Sequence, residues 1–160
     1  MKFRVALIVL SDRAASGERA DLCIPVMKER LGDAYALARE SVMPDDPAAL
    51  QAALIELADS HLADLVLTSG GTGLGPRDRT PQATAAVLDY EVPGIAEAIR
   101  MVSFAGVKTA MLSRALAGVR HRTLIVNLPG SPRAVAEALD IVLPVIPHAL
   151  ELLNDRVADG

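Results

Sequence analysis

The chain has 160 residues and a formal net charge of −4 without any basic block, which argues against a surface that tracks nucleic-acid phosphates. At this length it reads as one domain, large enough to bury roughly 70% of its unfolded surface. The apolar fraction is 51%, yet there are two Phe, two Tyr and no Trp, so the core must be aliphatic.

The first apolar run, 4–10, is dense in Val, Ala, Leu and Ile and predicts a strand covered on both faces. It is too short to span a bilayer, is followed by Asp12 and Arg13, and lacks a leader-cleavage pattern, so no membrane partner is expected. A polar loop follows over 11–20, then a helix over about 21–31. That helix holds Cys23, the single cysteine, which is expected to be a buried, inert thiol. No intrachain disulfide can form, which fits a reducing compartment and a cytoplasmic location. Residues 35–42 predict a second strand with weak alternation. Pro44-Asp45-Asp46-Pro47 breaks the pattern and starts a helix over 48–60, with Leu50, Leu54, Ile55 and Leu57 on one face. His61 falls at its solvated end.

A third strand is predicted over 63–68. It runs into Thr68-Ser69-Gly70-Gly71-Thr72-Gly73-Leu74-Gly75-Pro76-Arg77-Asp78-Arg79-Thr80-Pro81, the most informative stretch of the chain. Four glycines lie between the strand and a helix-start signal with Thr80 as N-cap, so the backbone can approach an anion and turn N–H groups toward it. Asp78 stands ready to hold a cation beside that anion. The loop matches neither common phosphate fingerprint. No Gly-Lys-Ser/Thr ends it, and Pro76 occupies the place of the third glycine of the dinucleotide motif. That failed match counts against a nucleotide-dependent oxidoreductase.

Helices are predicted over 80–88 and 94–104, the stretch 107–117 is ambiguous, and 123–128 is another buried strand. Pro129-Gly130-Ser131-Pro132 turns the chain into a helix over 133–142, and a last helix covers 145–153, with His148 packed in its apolar sequence. The alternation predicts a three-layer α/β/α sandwich with a mostly parallel central sheet, one domain over 1–155 with a polar tail at 156–160. Asp46-Pro47, Thr80-Pro81 and Ser131-Pro132 each pair a capping residue with proline after a short loop. In an open parallel sheet such loops gather at the carboxyl ends of the strands, where helix N-termini add positive charge. Asp45, Asp78, the glycine loop, Asn127 and the 129–132 loop are expected to share one crevice. Asp46 has the better capping spacing, which frees Asp45. Asp12, just past the first strand, is expected at the site by position. Ser113-Arg114 reads on physics alone as an exposed helix end.

The glycine stretch, together with Val9-Leu10-Ser11-Asp12-Arg13, Pro93-Gly94, Leu112-Ser113-Arg114 and Asn127-Leu128-Pro129-Gly130-Ser131-Pro132, resembles the signature of the MogA and MoaB molybdenum-cofactor biosynthesis proteins and the gephyrin G domain. The matches run in order from residue 5 to about residue 153. Ser11 to Gly17 looks more like MogA than MoaB. The resemblance implies a molybdopterin adenylyltransferase that uses ATP and Mg2+, with Asp45 and Asp78 as catalytic and metal-holding carboxylates. It implies substrate contacts from Ser11, Asp12, Gly70, Gly71, Thr72, Gly73, Ser113, Arg114, Asn127, Pro129, Gly130, Ser131 and Pro132. It also implies a homotrimer and hand-over of product to a molybdate-inserting protein. The alternative is a MoaB-like protein that holds pterin or nucleotide without efficient turnover. Where relatives carry Gly and a small residue, this chain has His121 and Arg122, which are expected to alter the pocket rim.

The chemistry is reasonable on its own terms. A phosphate oxygen attacks the α-phosphorus of ATP and pyrophosphate leaves, so the work is positioning and charge neutralisation. A phosphate with a second pKa of about 6 is already ionised near neutrality, and no strong general base is required.

Overall fold

The computed structural model describes residues 1–155; the tail expected at 156–160 lies outside the described residues. The elements run β1 (Phe3–Leu10), α1 (Asp12–Ala15), α2 (Cys23–Leu31), β2 (Tyr35–Met43), α3 (Pro47–Asp59), β3 (Leu65–Ser69), α4 (Thr80–Ala85), β4 (Tyr90–Glu91), α5 (Pro93–Gly106), β5 (Ala117–Arg120), β6 (Thr123–Leu128), α6 (Pro132–Val142) and α7 (Ile146–Leu153). They build the predicted three-layer α/β/α sandwich around one sheet of order β2-β1-β3-β6-β5-β4.

Alternation along the central strands divides the core in two, because successive side chains point to opposite faces. Val5, Leu7 and Val9 of β1, with Leu65 and Leu67 of β3, pack against α2, α5, α6 and α7. Ala6, Ile8 and Leu10, with Val66 of β3 and Ile125 of β6, face α3 and α4. Both clusters are aliphatic, as the composition required. The pairs β1–β2, β1–β3 and β3–β6 are parallel. From β1 the chain steps outward to β2 and then back across to β3, so the strand order reverses there and a crevice opens at the carboxyl ends.

The sheet is extended by β5, antiparallel to β6, and by β4, antiparallel to β5. Neither strand is legible in the sequence: one has two residues, and the other spans four and includes Gly118. The ambiguous stretch 107–117 holds a 3-10 turn over Lys108–Leu112 and the first residue of β5. A single helical turn, α1, interrupts the expected polar loop, with Ser11 as N-cap accepting from the Ala14 N–H.

Two of the three capping predictions hold. The Asp46 carboxylate accepts from the Ala48 and Ala49 N–H groups, and the Ser131 hydroxyl accepts from Ala134 N–H. The third is corrected: Arg79 is the N-cap of α4 and makes no side-chain cap bond. Thr80 sits one position further on and is buried, its N–H donating to the Gly71 carbonyl at 3.1 Å. His148 is also corrected. Its side chain is 68% exposed, because the apolar stripe of α7 turns Ile146 and Leu150 inward and leaves His148 outside. His61 is exposed just past α3, as expected.

A carboxylate cavity and an apolar cavity across the glycine loop

The glycine loop leaves β3 with Gly70 and Gly71 both at positive φ, +100° and +69°. A Cβ on Gly70 would collide with the Leu10 carbonyl oxygen at the end of β1. A Cβ on Gly71 would collide with the Thr80 hydroxyl and stand 3.3 Å from Asp45 Oδ1. The two glycines are thus required by close approach as well as by backbone conformation. The N–H groups of Gly71, Thr72 and Gly73 have no hydrogen-bond partner among the described residues. Such amides suit an anion.

The loop divides two cavities. On one side a cavity of about 430 Å3 is lined by Ser11, Asp45, Gly70, Gly71, Asp78, Gly130, Ser131 and Pro132. The two carboxylates reach it from different segments, Asp45 from the β2–α3 connection and Asp78 from the tip of the glycine loop. Asp78 Oδ2 accepts from the Gly75 N–H at 2.9 Å, and Asp45 Oδ2 from the Asp12 N–H at 3.3 Å. The second oxygen of each has no hydrogen-bond partner among the described residues. Neither carboxylate pairs directly with a cation among those residues. Burial pushes the Asp45 pKa up, and the negative charges of Asp12 and Asp78 push it further, against the Asp12 backbone bond and the Arg77 charge.

On the other side a cavity of about 520 Å3 is lined by Thr72, Gly73, Ser113, Pro129 and Ser131 together with Leu74, Ile99, Val107 and Leu112. Ser131, the N-cap of α6, borders both spaces. The predicted crevice is therefore two adjoining chambers.

Three of the residues expected to contact substrate lie outside the lining of both chambers. Asn127 lines neither cavity. It is 1% exposed, donates from Nδ2 to the Thr68 and Thr84 hydroxyls at 2.9 and 3.1 Å, and accepts the Leu116 N–H at 3.3 Å. It fastens β3, α4 and the start of β5 beneath the site. Arg114 also lines neither cavity. It grips the glycine loop from behind, with Nε to the Gly73 carbonyl at 2.9 Å and Nη2 to the Asp78 carbonyl at 2.6 Å. Asp12 also lines neither cavity and faces protein groups: Arg77 donates to it from Nε and Nη2, both at 3.0 Å, and the Asp45 N–H donates at 2.9 Å. The Arg77 guanidinium holds the Asp12 carboxyl below the usual carboxylate range.

His121 and Arg122 do not rim either chamber. They form the β5–β6 turn at the opposite end of the sheet, with His121 at φ 53° and its Nε2 3.1 Å from Asp59 Oδ1. The antiparallel hairpin, invisible in the sequence, carries them away. Four arginines at or beside the site escape sequence reasoning: Arg19, Arg77, Arg100 and Arg133. Arg19 borders the carboxylate cavity with Nη2 3.4 Å from Ser11 Oγ, and Arg100 borders the apolar one. Only Arg77 has a local signal, its place directly before Asp78. Cys23 is buried beside the first cavity, its thiol 3.4 Å from the Gly130 carbonyl and pushed up in pKa by desolvation, as an inert thiol should be.

No helix among the described residues is long and apolar enough to cross a membrane. Residues 6–148 match the family model described as a probable molybdopterin binding domain. The molybdopterin adenylyltransferase of Escherichia coli K12 is 44% identical over 140 residues, covering 86% of this chain and 72% of that protein. That of Helicobacter pylori J99 is 38% identical over 152 residues, covering 93% and 86%. Among solved structures, the molybdopterin biosynthesis enzyme MoaB of Thermus thermophilus superposes with a TM-score of 0.91 at 48% identity, covering 96% of this chain and 97% of that one. The Mog protein of Mycobacterium ulcerans superposes with a TM-score of 0.88 at 42% identity, covering 94% and 99%. With the fold, the glycine loop and these likenesses in agreement over nearly its whole length, the chain belongs to the molybdopterin-binding family of MogA and MoaB.

Proposed function

We propose that this protein is a molybdopterin adenylyltransferase. An oxygen of the pterin's terminal phosphate attacks the α-phosphorus of ATP, the bond to the β-phosphate's bridging oxygen breaks, and pyrophosphate leaves. The observation that carries this reading is the convergence of Asp45 and Asp78 on one cavity that adjoins a second across unbonded loop amides. Two anionic reactants need two adjoining chambers and a charge-neutralising centre where they meet. The amides of Gly71, Thr72 and Gly73, the start of α6 at Ser131, and Arg19 are suited to phosphate oxygens. Curated relatives bearing this activity's name, at 38–44% identity, support the same conclusion.

The donor set fits Mg2+. Two carboxylates with one uncommitted oxygen each meet its usual demand for one or two carboxylates, completed by substrate phosphates and water. Among the described residues no group of three or more His, Cys, Asp or Glu is arranged to hold a metal alone, so substrate would have to complete the shell. Burial, with the nearby charges of Asp12 and Asp78, pushes the Asp45 pKa up; a divalent charge bound there would favour its ionised form. Bound there, the ion would supply charge neutralisation for the phosphates. Asp45 and Asp78 would hold it, Arg114 would keep the loop in register, and Ser113 and Thr72 would orient the reactant in the apolar chamber.

On this reading the protein works in the cytoplasm and its product passes to a molybdate-inserting partner. It works as a homotrimer; Met101, Val102, Val107, Met111 and Leu112, exposed on and just after α5, supply apolar surface for such contacts. Light scattering of the intact protein and of a Met101→Glu, Met111→Glu variant tests this, and a monomeric parent protein would refute it.

The likeness to a MoaB at 48% identity sustains a second reading, binding without efficient turnover. Incubation with molybdopterin, ATP and Mg2+ decides between them. Pyrophosphate is expected, and Asp78→Asn is expected to abolish its release while pterin binding survives. Binding without pyrophosphate from the parent protein would favour the second reading.

A further inference from the structure

Asp12 was expected to touch substrate, yet its carboxylate is already committed to the protein. Both oxygens take the Arg77 fork, at 3.0 Å each, and Oδ1 also accepts the Asp45 N–H at 2.9 Å. The Asp12 N–H donates in return to Asp45 Oδ2 at 3.3 Å. Arg77 is the residue directly before Asp78, whose own Oδ2 is held by the Gly75 N–H. The bonds form a circuit that runs from one carboxylate to the other: Asp45 to Asp12, Asp12 to Arg77, Arg77 through one peptide unit to Asp78.

We propose that Arg77 and Asp12 form one positioning unit that sets the placement of the Asp45 carboxylate relative to Asp78. The segment that delivers one carboxylate grips the turn that holds the other, so the loops after β1, β2 and β3 move together or not at all. The Asp12 N–H holds the Asp45 carboxylate at Oδ2 and the Asp12 carboxylate holds the Asp45 backbone N–H, while the Arg77 fork fixes Asp12 itself; Asp45 Oδ1 remains the uncommitted atom. Arginine suits the role because its planar fork fixes orientation as well as distance, which a lysine ammonium does not. The inference rests on the adenylyl-transfer reading, in which Asp45 and Asp78 act on the same reactants.

The ordinary alternative is a surface ion pair. Arg77 is 64% and Asp12 44% exposed, and such pairs contribute little to stability. The two ideas part on kinetics. Misplacing a carboxylate by even an ångström costs on the order of a hundredfold in rate. Arg77→Met and Asp12→Ala are therefore expected to lower kcat for pyrophosphate release by about ten- to a hundredfold. KM for either substrate should stay within about threefold and Tm nearly unchanged. The double variant should be no slower than the slower single one, because both substitutions open the same circuit. Arg77→Lys should restore only part of the loss. Amide hydrogen exchange gives a readout without turnover: the Asp45 N–H should exchange faster in each variant.

Unchanged kcat in Arg77→Met would overturn the proposal, and so would a tenfold rise in KM with kcat preserved, which marks a substrate contact. Multiplying losses in the double variant would overturn it as well. If the parent protein releases no pyrophosphate, the adenylyl-transfer reading fails instead. The exchange rates then judge the circuit alone, and an Asp45 N–H equally protected in every variant would end it.

Discussion

The two ends of the central sheet use the same residue types to opposite effect. At the amino ends of the strands Asp59 and Asp64 each meet an arginine fork. Arg120 donates to both oxygens of Asp59 at 2.7 and 2.8 Å, and Arg4 donates to Asp64 from its backbone N–H, Nε and Nη2 at 2.8, 3.2 and 3.0 Å. At the carboxyl ends Arg77 is turned onto Asp12, and Asp45 and Asp78 are left without a direct cation among the described residues. Hydrogen bonding to Arg120 pulls the Asp59 carboxyl down, whereas burial and like charge push Asp45 up. One end is electrostatically closed and holds the fold. The other keeps negative charge in a half-buried place, at a cost in stability that a ligand can recover.

Asp45→Asn gives the largest expected effect, a loss of about 10²–10³-fold in turnover, measured by pyrophosphate release at saturating substrate. The same change should raise Tm at pH 7. Because the folded pKa lies above the ordinary value of 3.8, the parent protein loses stability as pH climbs through that window. The Tm gap should open above pH 3.8 and vanish below it. An Asn variant that melts lower at neutral pH would break the comparison.

Asn127→Ala tests whether that residue fastens or binds. Leaving the Thr68 and Thr84 hydroxyls and the Leu116 N–H short of partners should cost about 2–3 kcal/mol in urea unfolding. Substrate KM should stay put at a temperature where the variant is folded. Gly70→Ala should cost about 1–3 kcal/mol, since the new Cβ meets the Leu10 carbonyl in a backbone conformation that disfavours it. It should also lower turnover by shifting the loop.

Asp59→Asn gives the smallest effect and the sharpest contrast with Asp45→Asn. Turnover should be unchanged and Tm slightly lower. The sign is the reverse because the folded pKa is depressed: the stabilisation is present above the ordinary value of 3.8 and fades as pH falls through the folded value. Raised Tm at one end and lowered Tm at the other, from the same Asp→Asn change, would confirm that the sheet's ends differ as described.

Much of this was legible in residue order. Runs of Val, Leu and Ile long enough for a strand announced β1, β3 and β6. Asp46-Pro47 and Ser131-Pro132 announced helix starts by a local hydrogen bond that needs no distant partner. Thr80-Pro81 misled because Thr80 is drawn under the Gly71 carbonyl, a contact set by the returning loop rather than by its neighbours. β4 and β5 were silent because short antiparallel strands gain their stability from pairing, which local sequence does not record.

The amino-acid sequence alone determined the layer order, the aliphatic character of the core and the segment that would face an anion. All three depend on periodicity and on backbone freedom at named glycines. Only the tertiary structure decided which polar residues face a ligand and which face the protein. Asn127 shares its motif with Ser131, and Asp12 is the same residue type as Asp45 and Asp78, so neither motif nor residue type separates them. Their roles are set by which hydrogen bonds the folded chain closes, and those bonds join residues tens of positions apart.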